Sequence, residues 1–349
     1  MAPSEFGGAS VLVVGGAGFV GSNLVRSLVG DGARIHIVDN LLSSERTDVL
    51  TLPGVAFTEA SIADDAVLEA LDDTYDYAFH LATYHGNQSS MHDPLADHQN
   101  NTLTSLKLFQ RLATFRGLRR VVYSSAGCTV AEKVYGDARP TAEDDPVSLH
   151  LDSPYQISKI VGEMYANYFH AHDGLPIVIA RFQNVYGPGE ILGAGAWRGT
   201  PATVWRNVTP TFVYRAIKGM PLVLENEGRS SRDFIYVEDV VKGLVLCATN
   251  GRPGEVYNLA SGVETTIRQL ADEINAVVVS PAPLEIGPRR PWDRSGNRLG
   301  STTKASEQLG FSADVGLREG IRRTVDWTKA NLAAIDAAIE RHRMFMTSA

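Results

Sequence analysis

Only two cysteines, Cys128 and Cys247, occur in 349 residues, too few for a disulfide framework and in keeping with a reducing compartment. Positive charge is also scarce. Lys and Arg number 32 against 40 Asp and Glu, a net charge of −8, which leaves no electrostatic footprint for nucleic acid but still permits a local basic pocket for a small anion. No apolar run approaches the length of a membrane span, and the opening MAPSEFGGAS has no charged stretch leading into an apolar one. Neither a membrane partner nor a secretory signal is expected, and the location read from this is cytoplasmic. Internal repeats and low-complexity tracts are missing as well. What is present is 44% hydrophobic residues, enough to bury one large core or two modest ones.

Apolar runs of buried-strand type stand at 10–15, 34–38, 55–58, 76–82, 119–125 and 176–181. They alternate with helical spacing at 19–30, 64–73, 95–116 and 154–173, the pattern of a parallel sheet covered on both faces. The fold class expected is α/β, a Rossmann-type doubly wound parallel sheet with a smaller interleaved α/β domain. Residues 1–181 would form the first unit, and GEVYNLA at 254–260 would return to its sheet. Residues 182–349 would mainly bind substrate, beginning with a loop at 187–209 rich in Gly, Pro and Trp.

Directly after the first strand, Gly15, Gly18 and Gly21 form GxxGxxG. That spacing permits a tight turn, approach of backbone N–H groups to a pyrophosphate, and close packing of helix on sheet. Asp39 ends the second strand, where a carboxylate can accept from ribose hydroxyls and repel a 2′-phosphate, favouring NAD over NADP. Arg46 nearby is the residue that would complicate this preference. Further on, Tyr155-Gln-Ile-Ser-Lys159 puts a phenol and an amine on one helix face.

With HLAT at 80–83 and RFQNVYGPG at 181–189, these motifs resemble the extended short-chain dehydrogenase/reductase family acting on nucleotide-diphosphate sugars, over roughly residues 10–310. The resemblance implies that Tyr155 is the acid/base and that Lys159 holds the nicotinamide ribose and lowers the phenol's pKa. It implies NAD contacts from Gly15, Gly18, Phe19, Val20, Gly21, Asp39, Asn40, Ser61, Ile62, Leu81, Ala82 and Thr83, with Tyr155 and Lys159. Ser61 stands where the family usually has Asp. For the sugar nucleotide it implies Asn184, Asn207, Arg232 and Arg290, with His85 in a pocket-lining stretch at 83–90. Asn101 matches a structural asparagine, and a homodimer through a four-helix contact is implied, with Leu103, Leu106, Phe109, Tyr165, Tyr168 and Phe169 as its apolar excess.

The stretch VVYSSAGCTVAEK at 121–133 departs from the family. Aligned on Tyr123, the usual catalytic Ser/Thr falls on Ala126, so Ser125 is the nearest hydroxyl that could serve. Strand alternation keeps Ser124 and Ser125 from facing the same side. Where 4,6-dehydratases carry Asp-Glu and decarboxylases a Glu, this chain has Gly127-Cys128. GDP-mannose 3,5-epimerases place a cysteine at the position of Cys128, although the lysine that partners it there maps to Val208. The expected function is NAD-dependent epimerisation of a nucleotide-diphosphate sugar through a transient keto-sugar, at carbon 4. The alternatives are 3,5- or 5-epimerisation through Cys128, then dehydration or decarboxylation, or a non-catalytic NAD-binding sensor.

Overall fold

In the computed structural model, residues 5–127, 139–279, 281–288 and 296–346 are described. Cys128 and Arg290 lie outside them. The described residues contain twelve strands, β1 (Ser10–Val14), β2 (Arg34–Asp39), β3 (Val55–Glu59), β4 (Tyr77–His80), β5 (Arg120–Ala126), β6 (Ile177–Phe182), β7 (Asn184–Tyr186), β8 (Leu222–Glu225), β9 (Ser231–Tyr236), β10 (Val256–Leu259), β11 (Glu264–Thr266) and β12 (Leu284–Gly287). Seven form one sheet in the order β10-β6-β5-β4-β1-β2-β3. Every pairing in it is parallel.

Burial on both faces explains the continuous apolar runs. Val11 and Val13 pack with Leu24, Val25 and Leu28 of the glycine helix (Phe19–Gly30), while Leu12 and Val14 join Leu108, Phe109 and Ala166 on the other face. Phe109 and Phe169 belong to that second core, not to a surface excess. The strand order reverses between β1 and β4, so the loops after these two strands diverge and leave a crevice at their carboxyl ends.

Beyond β6 the chain leaves the sheet through β7, β8 and β9, comes back as β10 beside β6, and leaves again through β11 and β12, which complete the small sheets β11-β9-β7 and β12-β8. A third apolar core, including Phe212, Leu222, Phe234, Leu270 and Ile321, holds these small sheets to their helices. The 95–116 region is not one regular helix. His98–Leu103 adopts π geometry between Pro94–Asp97 and Thr104–Leu112, and Asn101 in that wide turn points its amide at the loop after β4. Among the described residues no helix is long and apolar enough to cross a membrane.

Candidate active site

A cavity of about 1040 Å³ opens at the crevice and extends to the small sheets. Its volume lies at the upper end of the ~300–1,000 Å³ range of ligand pockets, which suits two ligands end to end.

At the first end, Gly15 has φ +85°, and a Cβ there would lie 2.4 Å from the Ala82 backbone nitrogen. A Cβ on Gly21 would lie 2.1 Å from the Gly15 carbonyl oxygen. Gly18 caps the glycine helix without any side-chain bond, leaving the first-turn N–H groups to meet an anion along the helix axis. Asp39 is 8% exposed. One of its oxygens accepts from the Ala17 N–H at 3.0 Å, the other from the Leu41 N–H at 2.8 Å and Ser44 Oγ at 3.1 Å. Burial pushes this carboxyl up and those hydrogen bonds oppose it. Arg46 pairs with Glu59 and lies over Phe57, and it is not part of the lining. This cradle, cut to a depth that a single Cβ would fill, fits a dinucleotide. Gly15, Gly18, Phe19, Val20, Gly21, Asp39, Asn40, Ser61, Ile62, Leu81, Ala82 and Thr83 all line it.

The middle of the cavity is set by the helix Pro154–Asp173. Ser153 caps it, accepting from the Gln156 N–H, and Pro154 occupies its first turn, a start that suits proline's fixed φ. Tyr155 and Lys159 follow one turn apart. Lys159 Nζ donates to the Ser124 carbonyl at 3.0 Å and lies 5.9 Å from the centre of the Tyr155 ring. Burial pulls this ammonium down to about 8, against the pull of Asp97 and Glu163. On β5, Ser124 Oγ donates to the His80 carbonyl at 3.0 Å. Ser125, on the alternate face, has an enclosed Oγ with no hydrogen-bond partner among the described residues and lines the cavity with Ala126. His85 lines it too, its ring 6.1 Å from that of Tyr155 at 61°.

At the far end the structure brings together Asn184, Asn207 and Arg232. Arg232 donates to the carbonyls of Ser231 at 2.6 Å and Gly296 at 2.9 Å. Among the residues there that no sequence motif singled out are Glu190, Arg206, Thr211 and Arg298. Glu190 accepts from Asn207 Nδ2 on one oxygen and has no partner among the described residues on the other, and burial pushes it up to about 7. Arg206 donates to the carbonyls of Ser43, Ile191 and Ala194, stapling the 187–209 loop to the loop after β2. The hint for Glu190 and Arg206 was their place in the 187–209 loop, which the sequence puts on the substrate side; the rest depends on contacts between distant segments.

Comparison with known proteins agrees with this geometry. The family model described as "NAD dependent epimerase/dehydratase family" matches residues 11–260. Among solved structures, the Bordetella bronchiseptica enzyme WbmF in complex with NAD+ and UDP is 58% identical, covering 99% of this chain and 100% of its own, with a TM-score of 0.90. A UDP-glucose 4-epimerase of Mycolicibacterium smegmatis is 32% identical over 90% of this chain and 97% of its own length. A UDP-N-acetyl-alpha-D-glucosaminuronate decarboxylase of Bacillus cytotoxicus is 28% identical over 90% of this chain and 96% of its own. The glycine cradle, the Tyr155–Lys159 pair and a match over most of its length make this chain a member of the NAD-dependent epimerase/dehydratase family.

Proposed function

We propose that this protein is an NAD-dependent epimerase that inverts carbon 4 of a nucleotide-diphosphate sugar through a transient keto-sugar. The observation that carries the reading is the single cavity: a dinucleotide cradle at one end, arginines and asparagines at the other, and Tyr155 between them. Residues 1–181 with β10 would hold the cofactor, and 182–349 would mainly hold the sugar nucleotide.

Bound NAD supplies a reversible hydride acceptor for the sugar carbon. Tyr155, as phenolate, takes the hydroxyl proton of that carbon, and the Lys159 ammonium stabilises the charge on the phenol oxygen. A phenol brought from ~10 to ~7 needs about 4 kcal/mol of such help. Tyr155 gives the proton back after the keto-sugar has turned over, so one residue serves both directions. Arg232 and Arg298 suit the diphosphate through forked hydrogen bonds. Gly127 and Cys128 offer no carboxylate for a dehydratase or decarboxylase step.

The chain would act as a homodimer in the cytoplasm. Ile157, Met164 and Tyr168, spaced to share one face of the Tyr155 helix, remain exposed and would pair with the same face of a second copy. Incubating the holoenzyme with UDP-glucose, UDP-N-acetylglucosamine and their GDP and dTDP counterparts, with products read by NMR, tests the function. A C4 epimer formed without added cofactor supports it; 4-keto-6-deoxy or pentose products would replace it.

A further inference from the structure

The loop after β4 is pinned at both sides of Tyr84. Asn101 Oδ1 accepts the Tyr84 N–H at 2.7 Å, and Asn101 Nδ2 donates to the Tyr84 carbonyl at 3.3 Å and to Asp97 at 2.7 Å. The next residue, His85, is therefore set by a buried amide on a different element. Past it, the segment is tied to the start of the Tyr155 helix. The Tyr155 N–H donates to Ser90 Oγ at 3.1 Å, and Ser153 Oγ donates to Asn87 Oδ1 at 2.9 Å. The edge contact between the His85 and Tyr155 rings is thus held in register from both sides.

Among the described residues the imidazole's Nδ1 is enclosed and meets no hydrogen-bond partner. An enclosed acceptor without a donor is tolerated more readily than an enclosed N–H without an acceptor, so the ring hydrogen belongs on Nε2, the nitrogen left for a ligand in the cavity. Burial above all, with the positive charges of Arg206, Arg198 and Lys159 adding to it, pushes the ring down to about 3. His85 is therefore neutral throughout the working pH range. A neutral imidazole among cations is a poor proton carrier but a sound hydrogen-bond donor to an oxygen that gains negative charge.

We propose that His85 is a further catalytic residue, donating a hydrogen bond from Nε2 to the sugar oxygen that Tyr155 deprotonates, so that two side chains address one oxygen. No proton leaves His85; Tyr155 alone exchanges it. This rests on the epimerase reading above, and it assigns to the β4 loop the donor that Ala126 cannot supply.

The test compares holoenzyme variants on UDP-glucose and UDP-N-acetylglucosamine. His85→Phe, close in size, should lower kcat by about 10²-fold or more while NAD content and UDP affinity hold, the loss typical of one removed donor to a developing oxyanion. His85→Gln, which can still donate, should recover part of it. Nitrogen NMR of histidine-labelled wild type should show one neutral tautomer with the hydrogen on Nε2, and that resonance should move with UDP-glucose but not with UDP. Near-native kcat in His85→Phe, or a resonance blind to the sugar, overturns the proposal. Should the wild type turn over none of the UDP, GDP and dTDP sugars named above, the epimerase reading fails separately, and the response of the resonance to UDP-glucose against UDP still decides whether His85 meets the sugar.

Discussion

At Lys159 burial and neighbouring carboxylates pull in opposite directions, and burial wins, bringing the ammonium to about 8. Its charge is complete below that value and lost as pH climbs through it. Since the phenolate of Tyr155 depends on this cation, kcat/KM should fall on the alkaline side of about 8, read from a pH profile of the holoenzyme. Replacing Tyr155 by Phe should cut turnover by about 10²–10⁴-fold with the fold and bound NAD retained, checked by steady-state rates and cofactor content. Ser125 offers a subtler contrast. Its Oγ has no hydrogen-bond partner among the described residues, so Ser125→Ala should leave thermal stability unchanged or higher. A loss in kcat/KM worth about 1–3 kcal/mol would mark a hydrogen bond made only to the ligand. In the same experiment in deuterated water, carbon 4 inversion puts no deuterium on the sugar skeleton; incorporation would transfer the chemistry to a carbon beside the ketone and to Cys128.

Elements whose logic is local are legible in the sequence. GxxGxxG gave the turn and the glycine helix because the glycines act on their own neighbours, and a Cβ at Gly21 is excluded by the carbonyl of Gly15. Gly21→Ala should accordingly cost about 1–3 kcal/mol by overpacking and release NAD, measured by melting and by cofactor content after gel filtration. The helical spacing at 154–173 showed the Tyr155 helix in the same way, and the structure adds its local start, Ser153 as cap and Pro154 in the first turn. The small sheets were not legible as sheets, because strands of three or four residues such as β7 and β11 are defined by partners far along the chain. The same holds for the π turn at Asn101, and for Glu190 and Arg206, whose roles come from Asn207 across the loop and from Ser43 at a separation of 163 residues. Sequence carries residue types; these pairings exist only after closure.

For the molecule as a whole, the exposed face of the Tyr155 helix bears Ile157, Met164 and Tyr168 at 50%, 59% and 52% exposure. Ile157→Asp together with Met164→Asp should turn the proposed dimer into a monomer, with mass by light scattering as the readout; an unchanged mass would place the interface elsewhere. The path of the chain has a second consequence, in time rather than space. β6 ends at Phe182, but its outer neighbour β10 ends only at Leu259. At the usual ~5–20 residues per second of synthesis, the ribosome needs about 4–15 s to supply the 77 residues between Phe182 and Leu259. For that interval β6 presents a bare row of backbone donors and acceptors to whatever strand comes by. The nascent chain therefore has a window in which pairing with a neighbour on the same message competes with its own completion, and slower translation of residues 183–259 should lengthen the window and lower the yield of soluble protein.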